Sequence, residues 1–112
     1  IMKGHDKDYK KAVLQAVHEG LMLSLGIPEE DRFQRLYEID PDYFETSSEK
    51  TNQFCMIELT LFPGRSLEVK EQVIFEITRL LGERLEIPAE DVFIVINDPP
   101  YGNWGFGGEQ LK

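Results

Sequence analysis

Apolar residues recur at helical spacing in two stretches of the chain, residues 6–25 and 67–85. Spacing of i, i+3 and i+4 is typical of a helix that buries one face. In the first stretch the apolar positions are Val13, Ala16, Val17, Gly20, Leu21 and Leu25. In the second they are Val69, Val73, Ile74, Ile77, Leu80 and Leu81. Asp6 and Ser66 precede the two stretches as N-cap residues, and Gly26 ends the first. The pattern therefore predicts two amphipathic helices.

Three other stretches have the apolar pattern of β-strands. Residues 33–39 alternate between two faces, and residues 54–62 are rich in Ile, Leu, Phe and Thr. Residues 92–96 form a continuous apolar run, which is typical of a strand that is buried on both faces. Residues 40–52 and the Gly- and Pro-rich tail at 97–112 are predicted to be loops.

A seven-residue phrase occurs twice in the chain, sixty positions apart. It reads IPEEDRF from Ile27 and IPAEDVF from Ile87. The same offset aligns further identical pairs without a gap: Gly4 with Gly64, Lys10 with Lys70, Val13 with Val73, Leu21 with Leu81, and Leu25 with Leu85. A connector that arose twice by chance is the alternative, but the gapless extension argues against it. The offset indicates two copies of one supersecondary unit.

Each copy reads as strand, helix, strand, and a helical crossover implies parallel pairing within the unit. We therefore predict an α/β (α+β) fold in which a tandem βαβ repeat forms a four-stranded mixed sheet with two helices on one face. Residues 1–112 are expected to form a single domain with halves at about 1–53 and 54–112. The other sheet face includes residues 92–96 and is too apolar to remain in water, so self-association is expected.

The first strand of the repeat is largely missing from this sequence. Subtracting sixty from residues 54–62 places its counterpart at positions −6 to 2, of which only Ile1 and Met2 are present. We therefore expect about six further strand residues upstream of Ile1.

Composition narrows the classes of protein to which the chain can belong. It has 112 residues and 41% hydrophobic content, but no run approaches the roughly 20 apolar residues of a membrane span. With 21 acidic and 12 basic residues the net charge is −9, which argues against binding to nucleic acid. A single cysteine, Cys55, permits no intrachain disulfide and fits a reducing compartment. We expect a cytoplasmic protein without a nucleic-acid or membrane partner.

Few residues have the spacing of a known metal or catalytic motif. His5, His18 and Cys55 do not form a recognisable ligand set, so no metal or other cofactor is expected. Cys55 is expected to be inert core, and His18 to lie on the surface or flank of the first helix. His5 occupies the turn that corresponds to Arg65 and has a smaller chance of facing a pocket.

Arg65 is the sharper candidate, because it follows a predicted strand and precedes a predicted helix. A helix N-terminus favours anions, and a guanidinium group suits a carboxylate. In an acidic chain it would anchor an anionic ligand, although a solvated surface charge is the alternative. Asp31 and Asp91 lie in the two copies of the repeated phrase, where both could simply cap a turn.

The ordered set of these motifs resembles the tautomerase superfamily, which has the fold of macrophage migration inhibitory factor and 4-oxalocrotonate tautomerase. The motifs are the two βαβ units, IPEEDRFQ after the first helix, PGRS before the second, and NWGF near the end. The likeness covers essentially the whole chain and is closest to the malonate semialdehyde decarboxylase-like branch. It implies a homotrimer with the sheets packed inward and active sites near subunit boundaries. It also implies an N-terminal proline whose secondary amine transfers a proton.

By position, the resemblance implies roles for four residues. Arg65 would bind the substrate carboxylate, and Asp31 would activate water or stabilise the reacting amine. Trp104 and Phe106 would form the apolar wall of the site.

Two departures from the family pattern matter. Pro63 stands where the decarboxylase branch has a second arginine, which weakens the case for decarboxylation. The N-terminal proline is absent from this sequence, and the repeat places it at the start of the missing strand.

We therefore predict a tautomerase that interconverts enol and keto forms of a small 2-oxo acid such as phenylpyruvate. Decarboxylation or hydration of a short 3-oxo acid is one alternative. A non-catalytic oligomeric binding protein on the same scaffold is the other.

Overall fold

The computed structural model describes all 112 residues. Two helices account for most of the regular structure, α1 (Lys7–Leu25) and α2 (Leu67–Leu85). The strands are β1 (Cys55–Thr60), β2 (Val92–Asn97), β3 (Gly105–Phe106) and β4 (Glu109–Gln110). Neither helix combines the length and apolarity that a membrane crossing needs. The α+β class with two helices, predicted from the sequence, is confirmed.

The two helices begin and end sixty residues apart. The Asp6 side chain caps α1 by accepting from the Tyr9 amide, and the Ser66 side chain caps α2 by accepting from the Val69 amide. Each helix ends at a residue in the left-handed region, Gly26 with φ 71° and Glu86 with φ 55°. The predicted helices are thus confirmed together with the offset that relates them.

The offset also relates features that lie outside the helices. Short 3₁₀ turns occur at Pro41–Tyr43 and Tyr101–Asn103. An ion pair links each helix to the end of the segment that follows it: Lys10 with Glu38 at 3.2 Å, and Lys70 with Asp98 at 2.6 Å. The repeat is therefore a property of the tertiary structure and extends well past the matching phrase.

Strand pairing is parallel in both halves, as predicted, but unequal in extent. β1 and β2 form a continuous ladder from the Cys55–Val92 pair to the Thr60–Asn97 pair. In the first half the pairing is reduced to one bridge between Met2 and Ile39. The Lys3 amide donates to the Ile39 carbonyl at 2.8 Å, and the Ile39 amide donates to the Ile1 carbonyl at 2.9 Å.

The predicted four-stranded sheet is present as separate strand pairs, since no ladder joins the Met2–Ile39 bridge to β1 and β2. Residues 33–39 remain extended but have no strand neighbour to pair with over most of their length. The tail, predicted to be a loop, instead forms an antiparallel hairpin of β3 and β4. Gly107 and Gly108 adopt positive φ angles of 60° and 85° at its turn, which a glycine adopts at little cost.

A core of ten buried residues lies where the helices meet each other and β1: Val13, Ala16, Val17, Cys55, Leu59, Val73, Ile77, Leu80, Leu81 and Ile87. The helices approach each other closely at Gly20. A Cβ atom added there would lie 2.7 Å from Ile77 Cγ1 and 3.1 Å from Ile77 Cα. The absence of a side chain at position 20 thus sets the spacing between α1 and α2.

Three expectations about burial are wrong. His18 is 1% exposed because the extended segment covers its flank of α1, where the Gln34 side chain donates to the Leu14 carbonyl at 2.9 Å. Ile74 was expected on the inner face of α2 but is exposed. β2 is not buried on both faces, since Phe93 is 49% exposed and Val95 is also exposed. Their face of the sheet has no layer above it in this chain.

Replacing Gly20 with Ala should destabilise the fold, because the new methyl group would overlap Ile77 and force the helices apart. Overpacking of this kind costs about 1–3 kcal/mol, measurable by urea denaturation. Gly82→Ala is the matched control, since a Cβ there would lie 3.6 Å from the Ile87 carbonyl oxygen, an ordinary contact. The control should stabilise by up to about 1 kcal/mol through helix propensity. Equal effects of the two substitutions would contradict the proposed role of Gly20.

Candidate active site

A large cavity of about 870 Å³ lies along β1. Residues 33–37 line one side of it, β1 lines another, and α1 contributes the residues from Val13 to Leu25 that face it. Most of the lining is apolar. Arg65, Asp31, Trp104 and Phe106 all line this one cavity. The structure therefore brings together the four residues that the sequence singled out.

Arg65 is half-buried between the end of β1 and the Ser66 cap of α2. Its Nη1 atom donates to the Phe62 carbonyl at 3.0 Å, which orients the guanidinium group. Arg65 forms no salt bridge, whereas four other basic side chains do: Lys10, Lys70, Arg79 and Arg84. A guanidinium without a carboxylate partner, beside a helix N-terminus, is suited to bind an external anion.

Aromatic side chains form a wall of the cavity near Arg65. The ring centroids of Phe62 and Trp104 lie 4.6 Å apart, and those of Phe62 and Tyr101 lie 6.1 Å apart. The Trp104 Nε1 atom donates to the Pro99 carbonyl at 3.0 Å, so the indole is fixed in place. Phe106 projects from the β3–β4 hairpin and is exposed at the cavity. Such a wall suits the apolar part of a small acid.

Asp31 lies at the cavity in a tight turn, in which its amide donates to the Pro28 carbonyl at 3.1 Å. Its carboxylate is exposed and accepts no hydrogen bond from the protein. The neighbouring Arg32 donates to the Gln15 side chain at 2.7 Å and ties the turn to α1. The carboxylate of Asp31 is therefore available to a ligand or a reacting group.

Asp91 occupies the same kind of turn in the second half, with its amide 2.9 Å from the Pro88 carbonyl. Its carboxylate is nevertheless 1% exposed and accepts from both the amide and the hydroxyl of Thr51. The two aspartates of the repeated phrase thus have different environments. One faces the cavity and the other holds a loop.

The two histidines differ in where they lie relative to the cavity. His5 lies outside the cavity, where its ring stacks on Tyr9 with 4.0 Å between centroids. His18 lines the cavity, and its Nε2 atom has no hydrogen-bond partner. No three His, Cys, Asp or Glu side chains gather as metal ligands would.

Sequence reasoning missed Phe62 and Arg35, which also line the cavity. The sequence pattern places Phe62 at the end of the predicted strand 54–62 and gives it no role in a site. Its position three residues before Arg65 was the available signal, since its carbonyl and ring both contact site residues. Arg35 shares one predicted face of the segment with Phe33 and Tyr37, but alternation alone does not show which face meets a cavity.

Cys55 lies in the wall of the same cavity and is buried. Burial raises the pKa of its thiol to about 11, so the thiol stays protonated near neutral pH. Because the thiolate is the nucleophilic form, burial and the raised pKa support the inert role expected from the sequence.

Comparison with known proteins gives matches to one family. Residues 31–107 match the family model Tautomerase_2, described as tautomerase enzyme. The probable tautomerase YusQ of Bacillus subtilis (strain 168) is 27% identical over 119 residues, which covers all of this chain and 92% of that protein.

Two solved structures are similar over most of their length. FG41 malonate semialdehyde decarboxylase, inhibited by 3-bromopropiolate, is 30% identical with a TM-score of 0.77, and the match covers 92% of this chain and 82% of that one. A wild-type symmetric trimer of fused 4-OT is 26% identical with a TM-score of 0.81, and the match covers 98% and 90%.

The Cys55 thiol should resist labelling by a thiol reagent in the native protein at pH 8. With a pKa of about 11, only about one thiol in a thousand is ionised at that pH, and burial blocks access to it. Absorbance of the released thiolate of Ellman's reagent measures the reaction, and the same sample in concentrated urea should react completely within minutes. Rapid labelling of the native protein would contradict the inert role.

Proposed function

We infer that this chain, which belongs to the tautomerase family whose model matches residues 31–107, interconverts the enol and keto forms of a small 2-oxo acid such as phenylpyruvate. One observation carries the proposal. Arg65 is a half-buried guanidinium without a carboxylate partner, and it lies in a mainly apolar cavity beside an aromatic wall. That combination suits an acid with one charged end and one apolar end.

Arg65 binds the substrate carboxylate in this proposal. The guanidinium presents parallel N–H donors that match the two carboxylate oxygens. Its Nη1 atom is already held by the Phe62 carbonyl, so little freedom is lost when the substrate binds. The N-terminus of the 19-residue helix α2 adds positive potential at the same place.

Trp104 and Phe106 hold the apolar part of the substrate. Trp104 is fixed by the bond to Pro99, and the Leu111 amide donates to the Trp104 carbonyl at 2.9 Å, which holds the hairpin against it. Apolar walls displace water from the bound acid. Displacement of water strengthens the charge interaction at Arg65, because the local dielectric constant falls.

The proton is transferred by an N-terminal proline on a strand that precedes Ile1, as the repeat predicts. The cavity supports this, since it lies between residues 33–37 and β1. The chain enters it at Ile1, whose backbone nitrogen donates to the Tyr37 carbonyl at 2.9 Å. Six strand residues span about 20 Å, which brings the amine towards the Arg65 end. Burial beside a cation favours the neutral amine, the form that accepts a proton.

Asp31 stabilises the amine after it has accepted the proton. Its carboxylate lines the cavity and is not engaged by any protein donor, so it is free to accept a hydrogen bond from the ammonium form. In a hydratase or decarboxylase the same carboxylate would orient water instead. The similarity to a malonate semialdehyde decarboxylase favours this second function. Pro63, in place of a second arginine, weighs against it.

The proposed assembly is a homotrimer of one-domain chains, formed through the bare sheet face that carries Phe93, Val95 and Met56. These side chains are exposed and apolar, and the fused 4-OT neighbour is a trimer. We also propose a reducing, cytoplasmic setting, since the only cysteine is a buried free thiol.

Arg65→Ala should lower kcat/KM for phenylpyruvate ketonisation by about 30- to 200-fold in the full-length protein. The loss corresponds to about 2–3 kcal/mol for a charge-assisted hydrogen-bonded contact. Ketonisation is followed by the decay of enol absorbance. Arg79→Ala is the control, because Arg79 pairs only with Glu76 and Glu83 on the surface of α2.

Unchanged activity in Arg65→Ala would overturn the assignment of the carboxylate anchor. Identification of the N-terminal residue of the purified full-length protein distinguishes an enzyme from a binding protein. Proline there supports a catalyst, and any other residue would favour the non-catalytic binding protein.

Val95→Lys should convert the trimer to a monomer, because it places a charge at the centre of the apolar face. Light scattering at micromolar concentration gives the mass directly. Phe75→Lys is the matched control, since Phe75 is an exposed aromatic side chain on α2, away from that face. A monomeric wild-type protein would refute the assembly.

A further inference from the structure

The bare sheet face carries a single charged side chain where β1 and β2 form it. The cross-strand pairs on this face are Met56 with Phe93, Glu58 with Val95, and Thr60 with Asn97. All of these side chains are exposed, because the helices cover only the opposite face. Glu58 is therefore the one charged residue that the two strands present there, and its cross-strand neighbour Val95 is apolar.

Residues 33–37 present a single charge of the opposite sign on the corresponding face. The Gln34 side chain donates to the Leu14 carbonyl of α1, so the even positions of this extended segment face the helices. The odd positions are exposed on the other side: Phe33, Arg35 and Tyr37. Under the sixty-residue offset, Arg35 corresponds to Val95 of β2. The first half of the repeat thus has a cation where the second half has an apolar side chain.

Arg35 and Glu58 have no charged partner in the described chain. Neither residue belongs to any of the five ion pairs, which join residues of the helices to other carboxylates. Both residues line the open cavity, so each lies where the bare sheet face meets that cavity. The two unpaired charges are therefore placed to meet a group that comes from outside the chain.

Association of the bare sheet faces would remove both charges from water. A charge that is buried without a partner is costly, whereas a cation and an anion that meet across the contact compensate one another. A cyclic trimer brings different patches of the face together at each contact, so the cation of one copy can meet the anion of the next. Charge complementarity of this kind also disfavours other registers, because they would bring like charges together or leave each charge unpaired.

We propose that Arg35 of one copy forms an ion pair with Glu58 of the partner subunit, and that this pair fixes how the copies are arranged at the bare sheet face. The partner is a second copy of this chain. Because both residues line the cavity, the contact adds a side chain of the neighbouring copy to the cavity wall. The pairing rests on the proposed assembly and is independent of the proposed reaction.

Arg35→Glu and Glu58→Arg, made singly in the full-length protein, should each dissociate the assembly. Each substitution places like charges opposite one another at every contact. The protein concentration at which half of the chains are monomeric should therefore rise at least about tenfold. Light scattering and sedimentation over a concentration series measure the mass, and far-ultraviolet circular dichroism shows whether α1 and α2 remain folded.

The double variant Arg35→Glu/Glu58→Arg restores opposite charges and should recover the wild-type mass. Mixing the two single variants should also recover association, because unlike chains then carry opposite charges at their contact. In a ring of three chains, two of the three contacts join unlike chains. An ion pair formed within one chain would be restored by the double variant but not by mixing, so the two experiments together show whether the pair joins separate copies.

Arg79→Glu and Glu83→Arg are the matched controls, since these two residues form an ion pair on α2, away from the bare sheet face. The same charge reversals there should leave the mass unchanged. Arg35→Gln, Glu58→Gln and their combination are milder variants in case the reversals impair folding. The combined variant should associate more tightly than either single one, because it leaves no unpaired charge at the contact.

A wild-type assembly that survives both single reversals would overturn the pairing, as would a double variant or a mixture that stays monomeric. With the milder variants, equal association of the combined and the single glutamine proteins would overturn it too. A monomeric wild-type protein would refute the assembly and the pairing together. None of these results decides the proposed reaction, which the ketonisation assay of wild type and Arg65→Ala tests separately.

Discussion

The contact between Gly20 and Ile77 places α1 and α2 close together, and the rest of the structure is arranged around that contact. Ala16 and Gly20 have little or no side chain, so Ile77 of α2 packs closely against α1 there. The Ile77 side chain is fully buried as a result. The buried core lies where the two helices meet each other and β1. The spacing of the helices determines where α1 lines the cavity and where the N-terminus of α2 presents Arg65. Helix packing and ligand recognition thus depend on one small residue.

Charge is distributed so that the site can attract an acid. The chain carries a net charge of −9. Four basic side chains on the helices form ion pairs with carboxylates of the same chain: Lys10, Lys70, Arg79 and Arg84. Arg65 forms no such pair, because its nearest hydrogen-bond partner is a backbone carbonyl. An unpaired guanidinium in an acidic protein gives an anionic ligand a favourable place to bind, and Arg35 also lines the cavity without an ion pair. In the proposed function, the aromatic wall beside Arg65 accommodates the apolar group next to the charge.

The two copies of the unit share their backbone features and differ in the surroundings of a few side chains. The capping residues, the 3₁₀ turns and the helix-to-strand ion pairs are maintained in both copies. The side chains that differ are those at the ends of the strands, where Asp31 faces a cavity and Asp91 holds Thr51. The caps and turns are constrained by the backbone, because they provide hydrogen-bond partners for backbone groups that would otherwise be unpaired.

The sequence alone determined the helices, the repeat, the parallel pairing and the choice of Arg65, because these depend on local spacing, on capping and on residue type. It also indicated the family, through motifs in a fixed order. Only the tertiary structure decided which side chains are covered. His18 is buried because residues 33–37 lie over its flank of α1, and Phe93 is exposed because no layer covers its face. Phe62 joined the site, and His5 and Asp91 came together around residues 50–53, through contacts between positions 40 or more residues apart. Such contacts leave no periodic signal in the sequence, since they depend on how distant segments pack.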